Sequence, residues 1–222
     1  MNPRNLLNLK LFLLLVILAQ FGFPLTAYGP FWEGLYMVFY AGMLVFGITV
    51  ARQREQPIWP NLILVIFVLA FAGGVVANPA DPVLSLGMYL SIGLFLFSIM
   101  LTLLKLIFQR RAADGTELIL AAVCVYLLLG GLFTALFGTV ESLQPGSFVD
   151  NATPDNLITW QELLYYSYVT LATLGYGEIL PVNPWARSLA ILETVIGTLY
   201  IATVIARLVG LYASNPSGKG DA

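Results

Sequence analysis

The chain has no histidine. The side chain that most often moves protons near neutral pH, and most often holds a metal, is therefore missing. Its one cysteine, Cys124, sits inside an apolar run, so no disulfide can form within a chain. Charge is scarce: Asp, Glu, Lys and Arg make up 10% of the 222 residues, and the formal net charge is −2. No basic surplus points to a nucleic-acid partner. Without histidine or an acid–base cluster, neither an enzyme nor a cofactor is expected. What the chain has in quantity is apolar bulk, 59% of residues, with a mean hydropathy of +0.87. That is the composition of a protein whose partner is the lipid bilayer.

Charge-free windows mark the expected spans. Leu11–Trp32, Gly34–Ala51, Gln56–Ala80, Pro82–Leu104 and Leu118–Val140 each lack Asp, Glu, Lys and Arg. A helix needs ~20 residues to cross the hydrocarbon core, with ~17 the lower end. A sixth span, about Ser188–Ala206, is interrupted only by Glu193. The fold class read from this pattern is an all-α membrane protein with six transmembrane helices. Arg4, Lys10 and Leu11–Ala19 also fit the basic and apolar regions of a signal peptide, whose removal would leave five spans. Gly42, Gly47, Gly73, Gly74, Gly87 and Gly93 stud spans two to four, where small residues permit close helix contact.

The basic residues set an orientation. Arg4, Lys10, Arg52, Arg54, Lys105, Arg110, Arg111, Arg207 and Lys219 all fall on one side of the six-span plan, and only Arg187 falls on the other. Both termini are expected in the cytoplasm, with the protein in the plasma (inner) membrane. The opposite side carries Glu33, Asp81, Glu141, Asp150, Asp155 and Glu178. These either solvate the loops or concentrate cations at an outer mouth. Asn151-Ala152-Thr153 fits a glycosylation acceptor.

Between spans five and six lies Thr170-Leu171-Ala172-Thr173-Leu174-Gly175-Tyr176-Gly177-Glu178. Gly175 and Gly177 alternate with larger residues and can adopt positive φ. A backbone that alternates its twist in this way turns successive carbonyls to one side. Thr159-x-x-Glu162 has the form of a capping box, which predicts a helix over Trp160–Ala172. Thr173-Leu174-Gly175-Tyr176-Gly177 resembles the signature of the potassium-channel pore family, with Leu174 where valine or isoleucine is usual and Glu178 where aspartate is commoner. Pro181 and Trp185-Ala186-Arg187 resemble that family's outer loop. Gly197, twelve residues after Trp185, stands where many members have a hinge glycine. The resemblance runs from about Glu117 to Tyr212.

The resemblance implies a re-entrant pore helix and selectivity filter between helices five and six. The filter would be Thr173, Leu174, Gly175, Tyr176 and Gly177. Potassium, the permeant ligand, would meet the carbonyls of Thr173, Leu174, Gly175 and Tyr176 and the Thr173 hydroxyl. Leu174 and Tyr176 would point their side chains away from the axis. Tyr166 and Glu178 are expected to support the filter, and Trp160 to anchor at the membrane interface. Helical spacing puts Thr198, Ile201, Ala202 and Ile205 on one face, the expected cavity lining, with Gly197 the hinge. Glu193 lies off that face, and a contact to Tyr165, Ser167 or Thr170 is expected for it. One chain supplies one filter strand, so a homotetramer is implied.

The expected domains are a four-helix membrane domain (1–112), a two-helix pore domain (113–213) and a short cytoplasmic tail (214–222). The segment after the last span is expected to be too short for a small-molecule sensor domain. The function implied is passive, selective potassium transport. The alternatives are a less selective cation channel and a pore-loop potassium uptake transporter subunit. The chain departs from voltage-gated relatives, because span four has no basic residue before Lys105.

Overall fold

Proline and glycine, more than charge, decide where these helices begin and end. In the computed structural model, residues 3–54, 56–78, 81–109, 115–152 and 157–213 are described. Arg110, Arg111, Asp155, Lys219, Thr153 of the glycosylation triplet and the tail 214–222 lie outside them. Helix α1 (Pro3–Phe21) stops at Gly22, a short 3-10 turn (Phe23–Tyr28) follows, and α2 runs over Pro30–Gln53. The first charge-free window, Leu11–Trp32, is therefore not one helix. Pro24 has no N–H to continue α1, and Gly29 takes φ 118° before Pro30 opens α2.

The next helices are α3 (Trp59–Ala77), α4 (Pro82–Gln109) and α5 (Gly115–Leu143). They are followed by β1 (Phe148–Asp150), α6 (Trp160–Leu171), β2 (Ile179–Pro181) and α7 (Pro184–Ala213). Asp81 Oδ1 accepts the Val83 N–H at 2.9 Å, and Asn183 Oδ1 accepts the Trp185 N–H at 2.7 Å. Each side chain thus caps a helix whose first residue is proline. The fold is all-α apart from the two short strands, which pair antiparallel with Phe148 opposite Pro181 and Asp150 opposite Ile179.

Five helices, α2, α3, α4, α5 and α7, are long and apolar enough to cross a membrane. The apolar stretch of α1, Asn5–Phe21, is shorter. The core lies along α4 and α5, where Phe95, Leu96, Ile99 and Leu103 are buried with Val125, Leu128 and Phe137. Helix α1 adds Phe12 and Val16, and α2 adds Met43 and Val50. A Cβ on Gly47 would come within 2.9 Å of the Phe95 ring, the close contact expected of these glycines, whereas Gly73 meets nothing. Helix α3 buries only Asn61 and Val68, and most of α7 is open.

At one end of the bundle the two halves are tied by charge. Arg54 and Glu117 form a buried ion pair between the end of α2 and the start of α5. Arg207 of α7 donates to the Ile107 and Phe108 carbonyls of α4. Lys105 Nζ donates to Gln56 Oε1 at 3.3 Å.

Candidate ion pore

Helix α6 starts with the expected capping box: Thr159 Oγ1 accepts the Glu162 N–H, and Glu162 Oε2 accepts the Thr159 N–H at 2.6 Å. Tyr166 is buried in a three-ring cluster, its centroid 5.2 Å from Phe137 and 5.4 Å from Phe148. Tyr168 donates to the Leu127 carbonyl at 2.8 Å, and its ring lies where a Cβ on Gly130 would stand. Trp160 stacks on Tyr36 with centroids 5.7 Å apart. It packs against the amino-terminal half of the same chain, a contact its membrane-boundary reading did not contain.

Buried Glu193 reaches back to α6, to Ser167 among the three hydroxyls expected. Ser167 Oγ lies 2.6 Å from Glu193 Oε1 and 2.7 Å from the Gly130 carbonyl oxygen. One side chain therefore joins α5, α6 and α7 at a single point, all within one chain.

The chain leaves α6 still bonded to it. The Leu174 N–H donates to the Val169 carbonyl at 2.9 Å and the Thr173 N–H to Thr170 at 3.0 Å. Positive φ then recurs at every second residue: Thr173 58°, Gly175 58° and Gly177 88°. Thr173 was not foreseen. A β-branched residue at positive φ is a real outlier, costing on the order of 1–3 kcal/mol. Among the described residues, no donor meets the carbonyls of Thr173, Leu174, Gly175 or Tyr176.

The outer end is fastened. Asn151 Nδ2 donates to the Gly177 carbonyl at 3.1 Å, and the Asn151 N–H donates to the Glu178 carbonyl at 2.8 Å. Tyr165 donates its hydroxyl to the Glu178 carboxylate, and that bond pushes the Tyr165 phenol up to about 12. Pairing of β1 with β2 brings Asn151 here. Asn151, read from sequence as a glycosylation acceptor, also ties the Gly177–Glu178 segment to β1. No local pattern marks such a role, because the pairing joins segments far apart in the chain.

Residues 121–213 match the ion channel family. The chain is 28% identical over 98 residues to the inward rectifier potassium channel Kirbac3.1 of Paramagnetospirillum magnetotacticum, covering 42% of this chain and 29% of that one. It is 32% identical over 84 residues to the two pore potassium channel c of Oryza sativa subsp. japonica, covering 38% and 16%. It is 34% identical over 56 residues to the potassium channel protein kcv of Paramecium bursaria Chlorella virus 1, covering 24% and 60%. Residues 121–213, less than half of the chain, are thus similar to ion channels, and the curated relatives they match are potassium channels. The chain spans less than two thirds of the length of each of these relatives. No solved structure matches it significantly. The family is one of ion channels and not of enzymes, and the chain is an integral membrane protein.

Within the matched residues, Thr198, Ile201, Ala202 and Ile205 all stand on the open surface of α7, while Glu193 is fully buried. Gly197 sits against the end of α6. A Cβ there would come within 2.6 Å of Leu171 Cδ1 and 3.1 Å of its carbonyl oxygen. Close approach is thus a sufficient reason for glycine at 197, separate from any hinge.

Proposed function

We propose that four copies of this chain form a potassium-selective pore that passes the ion down its gradient. The observation that carries this reading is the alternation of positive φ at Thr173, Gly175 and Gly177, with four undonated carbonyls between. Four such strands around an axis would stack rings of oxygens that replace the hydration shell of the ion, as carbonyl rings do in potassium filters. The Thr173 hydroxyl adds the innermost ring. The Gly177 carbonyl is taken by Asn151, which leaves Thr173 to Tyr176 as the ion-binding set.

Assembly follows from what one chain leaves bare. Leu174 is 55% exposed and Tyr176 is 67% exposed, two large side chains on an open flank beside a hollow of about 190 Å³. Neighbouring copies would cover them. The α7 strip with Thr198, Ile201, Ala202 and Ile205 would then face a shared cavity, below a pore helix that re-enters from outside. Its C-terminal dipole favours a cation there. In this arrangement α1 completes a six-span plan, with both termini in the cytoplasm of a cell bounded by its plasma (inner) membrane. Tyr166 and Glu178 hold the filter from behind and above.

Purified protein in planar bilayers tests the reading. Under a potassium gradient the current should reverse near the potassium equilibrium potential, with sodium poorly permeant. Equal permeability to the two ions would refute it. Native mass spectrometry should find four chains, and a stable dimer would contradict the ring.

Voltage should matter little to the open pore. Moving one charge through the field is worth ~2.3 kcal/mol per 100 mV, and steep gating needs several charges per subunit. Helix α4 has no basic residue before Lys105, which is bonded to Gln56 at its end. Open probability should therefore change only weakly between about −100 and about +100 mV, a range set by that field energy. A measured gating charge of several elementary charges would overturn this.

A further inference from the structure

A cavity of about 180 Å³ lies between the amino-terminal helices and the pore domain. Six helices contribute to its wall, through Gln20 of α1, Tyr40 of α2, Ala72 of α3, Tyr89 of α4, Thr134 of α5 and Leu164 of α6. The pore helix itself is therefore part of the lining. No charged residue lines it.

Gln20 is the anomaly in this wall. It is 2% exposed, and its Nε2 has no hydrogen-bond partner among the described residues. The side chain crosses from α1 to α5, where a Cβ on Gly131 would fall within 2.3 Å of that nitrogen. Glycine at 131 thus makes room for the amide. Buried amides without partners are costly to retain, and the great majority of buried polar groups are paired. The nitrogen is sealed beside Gly131, but the side chain lines the cavity, so an occupant there can supply a contact to an amide that has none among the described residues.

Size, polarity and access define the occupant. An apolar cavity of about 150 Å³ takes up benzene, so this one holds roughly a ring and one substituent. The wall is mostly apolar, with hydroxyls at Thr134, Tyr40 and Tyr89 beside the amide. A ligand hydroxyl both donates and accepts, so it meets the Gln20 amide whichever way that is turned. The rim passes Met37, which is exposed, and the outward surfaces of α2 and α3 nearby expose Val38, Val45, Ile66 and Phe67. Those surfaces face hydrocarbon, so the ligand arrives dissolved in the bilayer. We propose that this cavity binds a small neutral alcohol or phenol, about one ring in size, that enters from the membrane and hydrogen-bonds Gln20.

Para-fluorophenol is the probe, with fluorobenzene as its hydroxyl-free counterpart. Both are followed by fluorine NMR on the full chain in lipid nanodiscs, with empty nanodiscs to measure partition. Para-fluorophenol should show a saturable signal that empty nanodiscs lack. Ala72→Phe, which fills the cavity, should abolish it. Met37→Trp, at the exposed rim, should give the same loss without altering the core. Gln20→Leu should weaken para-fluorophenol about tenfold, the worth of one hydrogen bond, and leave fluorobenzene unchanged. Absence of a saturable signal, or equal saturation in the intact chain and in whichever of the two blocking variants folds, would overturn the proposal. So would Gln20→Leu binding para-fluorophenol as tightly as the intact chain.

Discussion

Gly175→Ala should silence the pore. Gly175 has φ 58°, in the left-handed region. An alanine there costs roughly 1–2 kcal/mol per copy, and a four-fold filter would carry the cost four times. Relaxing φ to a negative value removes the strain but swings a carbonyl off the axis, which destroys an oxygen ring. With about 1.4 kcal/mol for each factor of ten, current should fall roughly a thousandfold or more. Gly146→Ala is the control. It has φ 82°, sits in an exposed turn and meets no neighbour, so the backbone cost is similar but the filter is untouched. Single-channel recording should find Gly146→Ala conducting and Gly175→Ala silent. Selective current retained in Gly175→Ala would show that the strand geometry does not carry conduction.

The second large effect should come from Glu193. Its Oε1 contact to Ser167 and the Ser167 contact to Gly130 make one hydroxyl face two acceptors. A single hydroxyl proton cannot serve both, so a side chain at 193 that brings its own donor fits the site. Glu193→Gln does so at nearly the same volume, and should keep both assembly and current. Glu193→Ala empties a fully buried site and leaves Ser167 with one contact fewer. Cavity and hydrogen-bond terms together should cost about 2–5 kcal/mol. Thermal melting of the assembled protein in detergent separates the two variants. Equal melting of the glutamine and alanine variants would show that the tie between α5, α6 and α7 is not polar.

Residues 159–178 were legible for a physical reason: their instructions are local. Thr159 and Glu162 specify a helix start three residues apart, and Gly175 and Gly177 specify a backbone two residues apart. The positive φ at Thr173 was hidden, since threonine has no propensity that announces it. The Gly177–Asn151 bond was hidden too, because it depends on β1 meeting β2. Counting charges placed most helices within a few residues but misplaced the first boundary. Gly22 and Pro24 are uncharged, yet they end α1. The stacking of Trp160 on Tyr36 was hidden as well, because the two are more than a hundred positions apart. The nearness of Leu171 gives Gly197 a second reason, beside the expected hinge, that no local pattern shows.

The helices also differ in length. Helix α3 has 19 residues, whereas α5 has 29 and α7 has 30. At 1.5 Å per residue these are about 28 Å against about 44 Å. A hydrocarbon core of ~30 Å suits the first but is overfilled by the others, which must lean or extend into the headgroups. The bilayer is therefore matched by α3 and mismatched by α5 and α7. Lipid chain length would bear more on α5 and α7, which have length to spare, than on α3. Membrane thickness would then reach the proposed pore through α5 and α7 themselves.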